Sequence, residues 1–197
     1  MKFSRFLKCL GLVLSSVVLL AACQKDAVKF NSTDLTGLDF AKSFTLTDHH
    51  GQVKRLADYQ GKAVFVFFGY TQCPDVCPTT MTDMAQVMKL LGKDADKLQV
   101  IFITVDPERD TKELLSQYVP QFDARFIGMY ASLEETKKVA TDFKVFFTKV
   151  PNKDGTSYSI DHTAAAYFYD PQGRVRLFVR HGEKPELIAQ DIQQLLR

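Results

Sequence analysis

The chain has 197 residues, 46% of them hydrophobic and 24% charged. That is an ordinary globular composition, long enough for one domain with a substantial core. The formal charge is only +2, and removing the three basic residues of the first 22 positions (Lys2, Arg5, Lys8) takes it from +2 to −1, which leaves no basic surface for a nucleic-acid partner.

Those basic residues precede an apolar run from Leu10 to Leu20, which closes on Leu20-Ala21-Ala22-Cys23. This pattern reads as a secretory signal. Its ending resembles the bacterial lipobox, with cleavage before Cys23 and lipid on that cysteine. An uncleaved anchor helix is the alternative. The expected organisation is a signal over 1–22, a tether over 23–39 and a domain over 40–197. The domain is then tied to a membrane, on the extracytoplasmic side. Cys9 falls in the signal and Cys23 carries lipid, so Cys73 and Cys77 remain as the free thiols.

Gln24 to Gly37 is polar and aperiodic, as a tether would be. Phe44-Thr45-Leu46 and Val53-Lys54-Arg55-Leu56 flank a turn-like Asp48-His49-His50-Gly51, which predicts a β-hairpin with both histidines solvated at its tip. Ala63 to Phe68 is apolar throughout and predicts a strand buried on both faces. It stops at Gly69. Two cysteines follow, then a helix from about Thr79 to Leu91. Cys77, Met81, Met84 and Met88 fall on one helix face. A thioether stripe below thiols is a possible copper path, but core filling is the ordinary role of such methionines.

Leu98 to Val105 is the next apolar strand. Asp110 with Glu113 has capping-box spacing before a helix from Lys112 to Tyr118. Arg125 to Tyr130 reads as a short strand. Ser132 with Glu135 repeats the cap before a helix to about Phe143. Val145 to Tyr158 carries Pro151, Asn152, Asp154 and Gly155 and reads as a loop. Ala164–Tyr169 and Arg174–Arg180 form a hairpin about Asp170-Pro171-Gln172-Gly173. An amphipathic helix from Lys184 to Leu196 closes the chain. The alternation of strands and helices predicts an α/β layered fold with a central sheet.

Function centres on Cys73 and Cys77. Four residues along a helix is one turn, a rise of roughly 6 Å on one face. Two sulfurs at that spacing can converge on one atom. A helix N-terminus favours thiolate over thiol. Such a pair can chelate a soft metal or oxidise to a disulfide. A purely structural disulfide is the weaker alternative, since so short a loop removes little unfolded-state entropy.

The order strand, Cys–Cys at a helix start, βα, then ββα is that of a thioredoxin-like three-layer α/β/α sandwich, here with an N-terminal β-hairpin and an inserted hairpin or loop before the final ββα. Thioredoxin itself has two residues between its cysteines and a proline facing them. This chain has Pro74, Asp75 and Val76 between them, and Thr163-Ala164-Ala165-Ala166 where the proline would stand. From about Phe40 to Arg197 it resembles the Sco/SenC proteins. The specific part is Phe68-Gly69-Tyr70-Thr71 with Cys73-Pro74-Asp75-Val76-Cys77-Pro78. Val105-Asp106-Pro107 with Arg109-Asp110-Thr111, Phe126-Ile127-Gly128, and Tyr158-Ser159-Ile160-Asp161-His162-Thr163 fit as well. Lys112 stands where that family often has proline.

The resemblance implies copper held by Cys73, Cys77 and His162, and a role in assembling the binuclear copper site of cytochrome c oxidase. Asp161, Asp75 and Asp106 are expected to support the site or meet the partner. Soft Cu(I) accepts thiolates and Cu(II) accepts imidazole, so two sulfurs and one nitrogen can hold both states. The expected partner is the copper-site subunit of the oxidase, met by a monomer. A thiol–disulfide reductase using Cys73 and Cys77, a copper-responsive redox sensor and a zinc site are the competing functions. His181 is expected to be a surface residue.

Overall fold

The computed structural model describes residues 29–164 and 166–197. The expected signal, Cys23 and the start of the tether lie outside these. In chain order the elements are β1 (Thr33–Asp34), β2 (Thr45–Asp48), β3 (Val53–Arg55), β4 (Ala63–Gly69), α1 (Val76–Leu91), β5 (Leu98–Thr104), α2 (Lys112–Tyr118), β6 (Ile127–Tyr130), α3 (Leu133–Asp142), β7 (Phe147–Pro151), β8 (Tyr158–His162), β9 (Ala166–Tyr169), β10 (Val175–Val179) and α4 (Pro185–Leu195).

Eight strands form one sheet in the order β1-β10-β9-β4-β5-β6-β2-β3. β4, β5 and β6 run parallel, while β9 is antiparallel to β4. β4 lies at the centre because all seven of its residues are buried. Side chains alternate across a sheet, so its apolar run feeds two cores. Ala63, Phe65 and Phe67 join a cluster with α1 and α4, while Val64, Val66 and Phe68 join another with α3 and the β2 region. β5 divides likewise, with Val100 and Phe102 on one side and Ile101 and Ile103 on the other. Helices on both faces of a sheet give the three layers expected.

The methionine stripe is core. Met81, Met84 and Met88 are each at most 2% exposed and sit in the first cluster with Cys77. Ser132 and Glu135 form the predicted capping box, each side chain bonding the other's backbone N–H.

Five expectations change. First, α1 starts at Val76, not Thr79, with Asp75 as its N-cap. Second, part of the expected tether is packed: β1 pairs with β10 and Leu35 is buried. Asn31 N–H and Ser32 N–H both donate to the buried Asp191 carboxylate of α4, each at 2.8 Å. Polar composition hid this, because the partner is 159 residues away in sequence.

Third, His49 is not solvated. It is 3% exposed, and its Nδ1 accepts the Gly128 N–H at 2.9 Å. The glycine leaves room, since a Cβ there would come within 3.3 Å of that nitrogen. Fourth, Asp110 does not cap α2. Thr111 does, accepting the Leu114 N–H. Fifth, the segment 145–158 is not all loop. β7 pairs antiparallel with β8, and the two form a ribbon outside the main sheet.

Candidate metal centre

The thiols sit where β4 ends and α1 begins. Gly69 is required there. A Cβ at this position would lie 2.9 Å from Cys77 Sγ, 2.8 Å from Phe102 and 2.9 Å from Phe67, closer than van der Waals contact allows. The glycine thus lets the strand end pass against the buried sulfur. Tyr70 O then accepts the Cys73 N–H, a turn that lifts Cys73 over the helix start. Cys73 is half-buried and Cys77 fully buried, in the first turn of α1. The Cys77 N–H donates to Cys73 Sγ at 3.4 Å, so one orphan amide of the helix start is met by sulfur.

Asp110 fixes this loop from behind. Its buried carboxylate accepts from Thr71 N–H and from the hydroxyls of Thr71 and Thr104. Burial pushes its pKa up, against those hydrogen bonds. The end of β5 and the cysteine loop are thereby tied through one side chain.

His162 arrives on β8. The ribbon brings its Nε2 to 3.8 Å from Cys77 Sγ, across 85 residues of sequence. The donor atoms of Cys73, Cys77 and His162 all lie within 4.8 Å of one another. The His162 Nδ1 is 3.1 Å from the Thr163 carbonyl oxygen. A carbonyl only accepts, so Nδ1 carries the hydrogen and the Nε2 lone pair faces the thiols. Burial lowers the His162 pKa from 6.5, which keeps the ring neutral. The Tyr70 ring stands edge-on to it, centroids 6.0 Å apart.

Burial also pushes the Cys77 thiol well up, and its hydrogen bond with Cys73 adds to the shift. The helix-start argument for a ready thiolate therefore does not hold for Cys77, because desolvation outweighs the dipole. A metal ion can supply the positive charge that displaces its proton. Two sulfurs and one neutral imidazole nitrogen, clustered and partly open to solvent, suit a soft metal that keeps a vacant side.

The three acids expected near the site are placed differently. Asp106 is buried and accepts from the Arg109 guanidinium and from the Tyr158 hydroxyl. Asp75 is exposed and is bonded weakly by the Thr79 hydroxyl at 3.4 Å. Asp161 is exposed on β8, one position out of phase with Tyr158, Ile160 and His162. His181 is exposed on the far side of Thr80.

The SCO1/SenC family model matches residues 32–197. This chain belongs to that family. ScoI of Bradyrhizobium japonicum, solved with copper bound, is 41% identical with a TM-score of 0.73, covering 80% of this chain and 99% of that one. Apo Sco1 of Thermus thermophilus is 34% identical with a TM-score of 0.76, covering 86% and 99%. The mitochondrial SCO2 homolog of Bos taurus is 33% identical over 153 residues, 77% of this chain and 58% of that protein. The chain spans less than two thirds of the curated mitochondrial relatives it matches. The family match starts at residue 32, in line with the packing of Ser32 and β1 and ahead of the Phe40 expected from sequence.

Four residues that build the site, Tyr70, Arg109, Asp110 and Tyr158, all lie in the motifs that carry the family resemblance, but the sequence alone gives none of them a site role, since each acts on an element far away in the chain. Among the described residues no helix is long and apolar enough to cross a membrane.

Proposed function

We propose that this protein is a copper metallochaperone that serves the binuclear copper site of cytochrome c oxidase. Copper is its cargo, held by Cys73, Cys77 and His162. The observation that carries this reading is the convergence of two sulfurs and one imidazole nitrogen within 4.8 Å. Cu(I) binds the two thiolates, and the imidazole extends the set to Cu(II). Three protein ligands leave a face for a partner's ligand to enter and take the ion. The solved Bradyrhizobium relative with copper bound supports the choice of metal.

The same reading takes residues 1–22 as a signal and Cys23 as the lipidated first residue. The domain then works at the extracytoplasmic surface of a membrane as a monomer, meeting the copper-site subunit of the oxidase. Mass spectrometry of the membrane-bound protein tests this: a diacylated or triacylated Cys23 supports it, and an intact Met1 refutes it.

A second reading, thiol–disulfide exchange with that subunit, is favoured by one feature. Cys73 is partly exposed while Cys77 is buried behind it, which suits attack by the outer sulfur and resolution by the inner. The variants His162→Ala, Cys73→Ser and Cys77→Ser separate the readings when each is the sole copy in cells. For copper delivery, all three fail to assemble the oxidase copper site, and excess copper rescues His162→Ala alone. Full assembly by His162→Ala, with none by the cysteine variants, would replace copper delivery by thiol reduction.

A further inference from the structure

Among the described residues the β7–β8 ribbon shares no ladder with the eight-stranded sheet. The chain ties its inner end to β9, which begins at Ala166, so the outer end depends on what anchors it through side chains. Tyr158, Ile160 and His162 alternate onto the inward face of β8. Tyr158 is the outer anchor, packed against the second core cluster, and its polar contacts converge on Arg109.

The Arg109 guanidinium carbon lies 3.7 Å from the centroid of the Tyr158 ring. Its Nη1 donates to the Tyr158 carbonyl at 2.8 Å and to Gln72 Oε1 at 3.0 Å. Its Nε donates to Asp106, which also accepts the Tyr158 hydroxyl at 2.9 Å. Gln72 is the residue before Cys73. One side chain thus touches the cysteine loop, the loop after β5 and the strand that carries His162. Its remaining nitrogen, Nη2, is buried without a partner among the described residues. Self-satisfaction alone does not account for this placement, since an unpaired buried donor is unfavourable.

We propose that Arg109 is a positioning residue, setting His162 over Cys73 and Cys77 by stacking on Tyr158 and bridging to Gln72. Ile160, buried and bonded to Tyr70 Oη, is the pivot between Tyr158 and His162; from it to His162 is two residues, roughly 7 Å, so a tilt of about 15° moves the imidazole by roughly 2 Å. That shift is enough to take Nε2 out of reach of a metal held by the sulfurs. A lysine can keep the charge opposite Asp106 but has neither the planar stack nor the fork that reaches two acceptors. The consequence for copper rests on the function proposed above; the consequence for the ribbon does not.

The experiment uses the reduced protein with Arg109→Lys, and with Tyr158→Leu, which removes the stack from the other side. Lys149→Ala is the control, since Lys149 is an exposed cation over the same ring, paired with Glu108. Amide hydrogen exchange without metal is read first. Both variants are expected to exchange at residues 158–163 about tenfold faster or more, with β4 and β5 unchanged and the control like wild type. The spectrum with Cu(II) is read second. Both variants, like His162→Ala, are expected to lose the sulfur-to-copper charge-transfer band, while Cu(I) affinity stays within about threefold of wild type. Wild-type exchange at 158–163 in both variants overturns the proposal, as does faster exchange spread evenly over the domain. A wild-type protein that takes no copper overturns the copper function instead and leaves the exchange result to decide the role of Arg109.

Discussion

The two halves of the candidate metal centre are built in opposite ways. The thiol half belongs to the core: Cys77 is 0% exposed, against the central strand and in the same cluster as Phe67, Phe102 and Met81. The histidine half rides on a two-stranded ribbon with no backbone pairing to the sheet among the described residues, fixed by a stacked guanidinium, by the Ile160 N–H on Tyr70 Oη and by the Ile160 side chain in the second core cluster. A half buried like the thiols moves only if the core moves. A ribbon held by one buried side chain and a few polar contacts opens at lower cost. The copper carrier proposed above would gain from that asymmetry, since one ligand can leave while two stay.

The largest effect is expected where the rigid half loses a donor. Cys73→Ser replaces a half-buried sulfur by a hydroxyl without opening the core. Loss of a residue that merely supports a metal ligand typically costs about 10–100-fold in affinity, so loss of the ligand itself should exceed 100-fold for Cu(I). Competition with a Cu(I) chelator measures it; a change under tenfold would remove Cys73 from the site.

Next comes Gly69→Ala, which strikes the rigid half through packing alone. The added methyl meets Phe102, Phe67 and the Cys77 sulfur at under 3 Å. Overpacking of this kind typically costs about 1–3 kcal/mol, and for a domain of this size each kcal/mol lowers Tm by roughly 2–4 °C. Thermal unfolding should show that fall, with faster alkylation of Cys77. An unchanged Tm would mean that the β4–α1 junction is looser than its burial implies.

The pH dependence separates the halves by sign. Burial raises the Cys77 pKa and lowers that of His162. Across neutral pH the thiol still carries the proton that a metal must displace, whereas the imidazole has already lost its own. Cu(I) affinity should therefore rise with pH through the range 6–8, by about tenfold per pH unit for each proton displaced. His162→Ala should leave that slope unchanged above pH 6.5, the ordinary imidazole value. A slope that vanishes in the variant would assign the proton to the ribbon instead.

The smallest effect is expected from His181→Ala. This exposed imidazole touches Thr80 and no ligand. Copper affinity and stoichiometry should stay within about twofold of wild type, with stability within about 0.5 kcal/mol. Loss of a bound ion would reveal a second site on the helix side of the thiols.

Much of this was written locally. Apolar runs at 63–68 and 98–105 gave the central strands, because a strand buried on both faces needs no polar alternation. The Ser132–Glu135 box and the turn at 170–173 gave their elements within a residue or two. The cysteine spacing placed both sulfurs at one helix start. By itself, the sequence determined these because each depends on neighbours within a few positions. Tertiary structure alone decided the rest. His49 looks like a turn residue until Gly128 is brought beneath it. Asp110 looks like a cap until Thr71 and Thr104 reach it. Asn31 and Ser32 look like tether until Asp191 accepts their amides. Above all, His162 is brought over the thiols by a ribbon whose outer residue, Tyr158, stacks on Arg109, 49 residues before it in the chain. Such contacts leave no periodicity and no spacing behind, since the energy that selects them is realised only when distant segments meet and exclude water together.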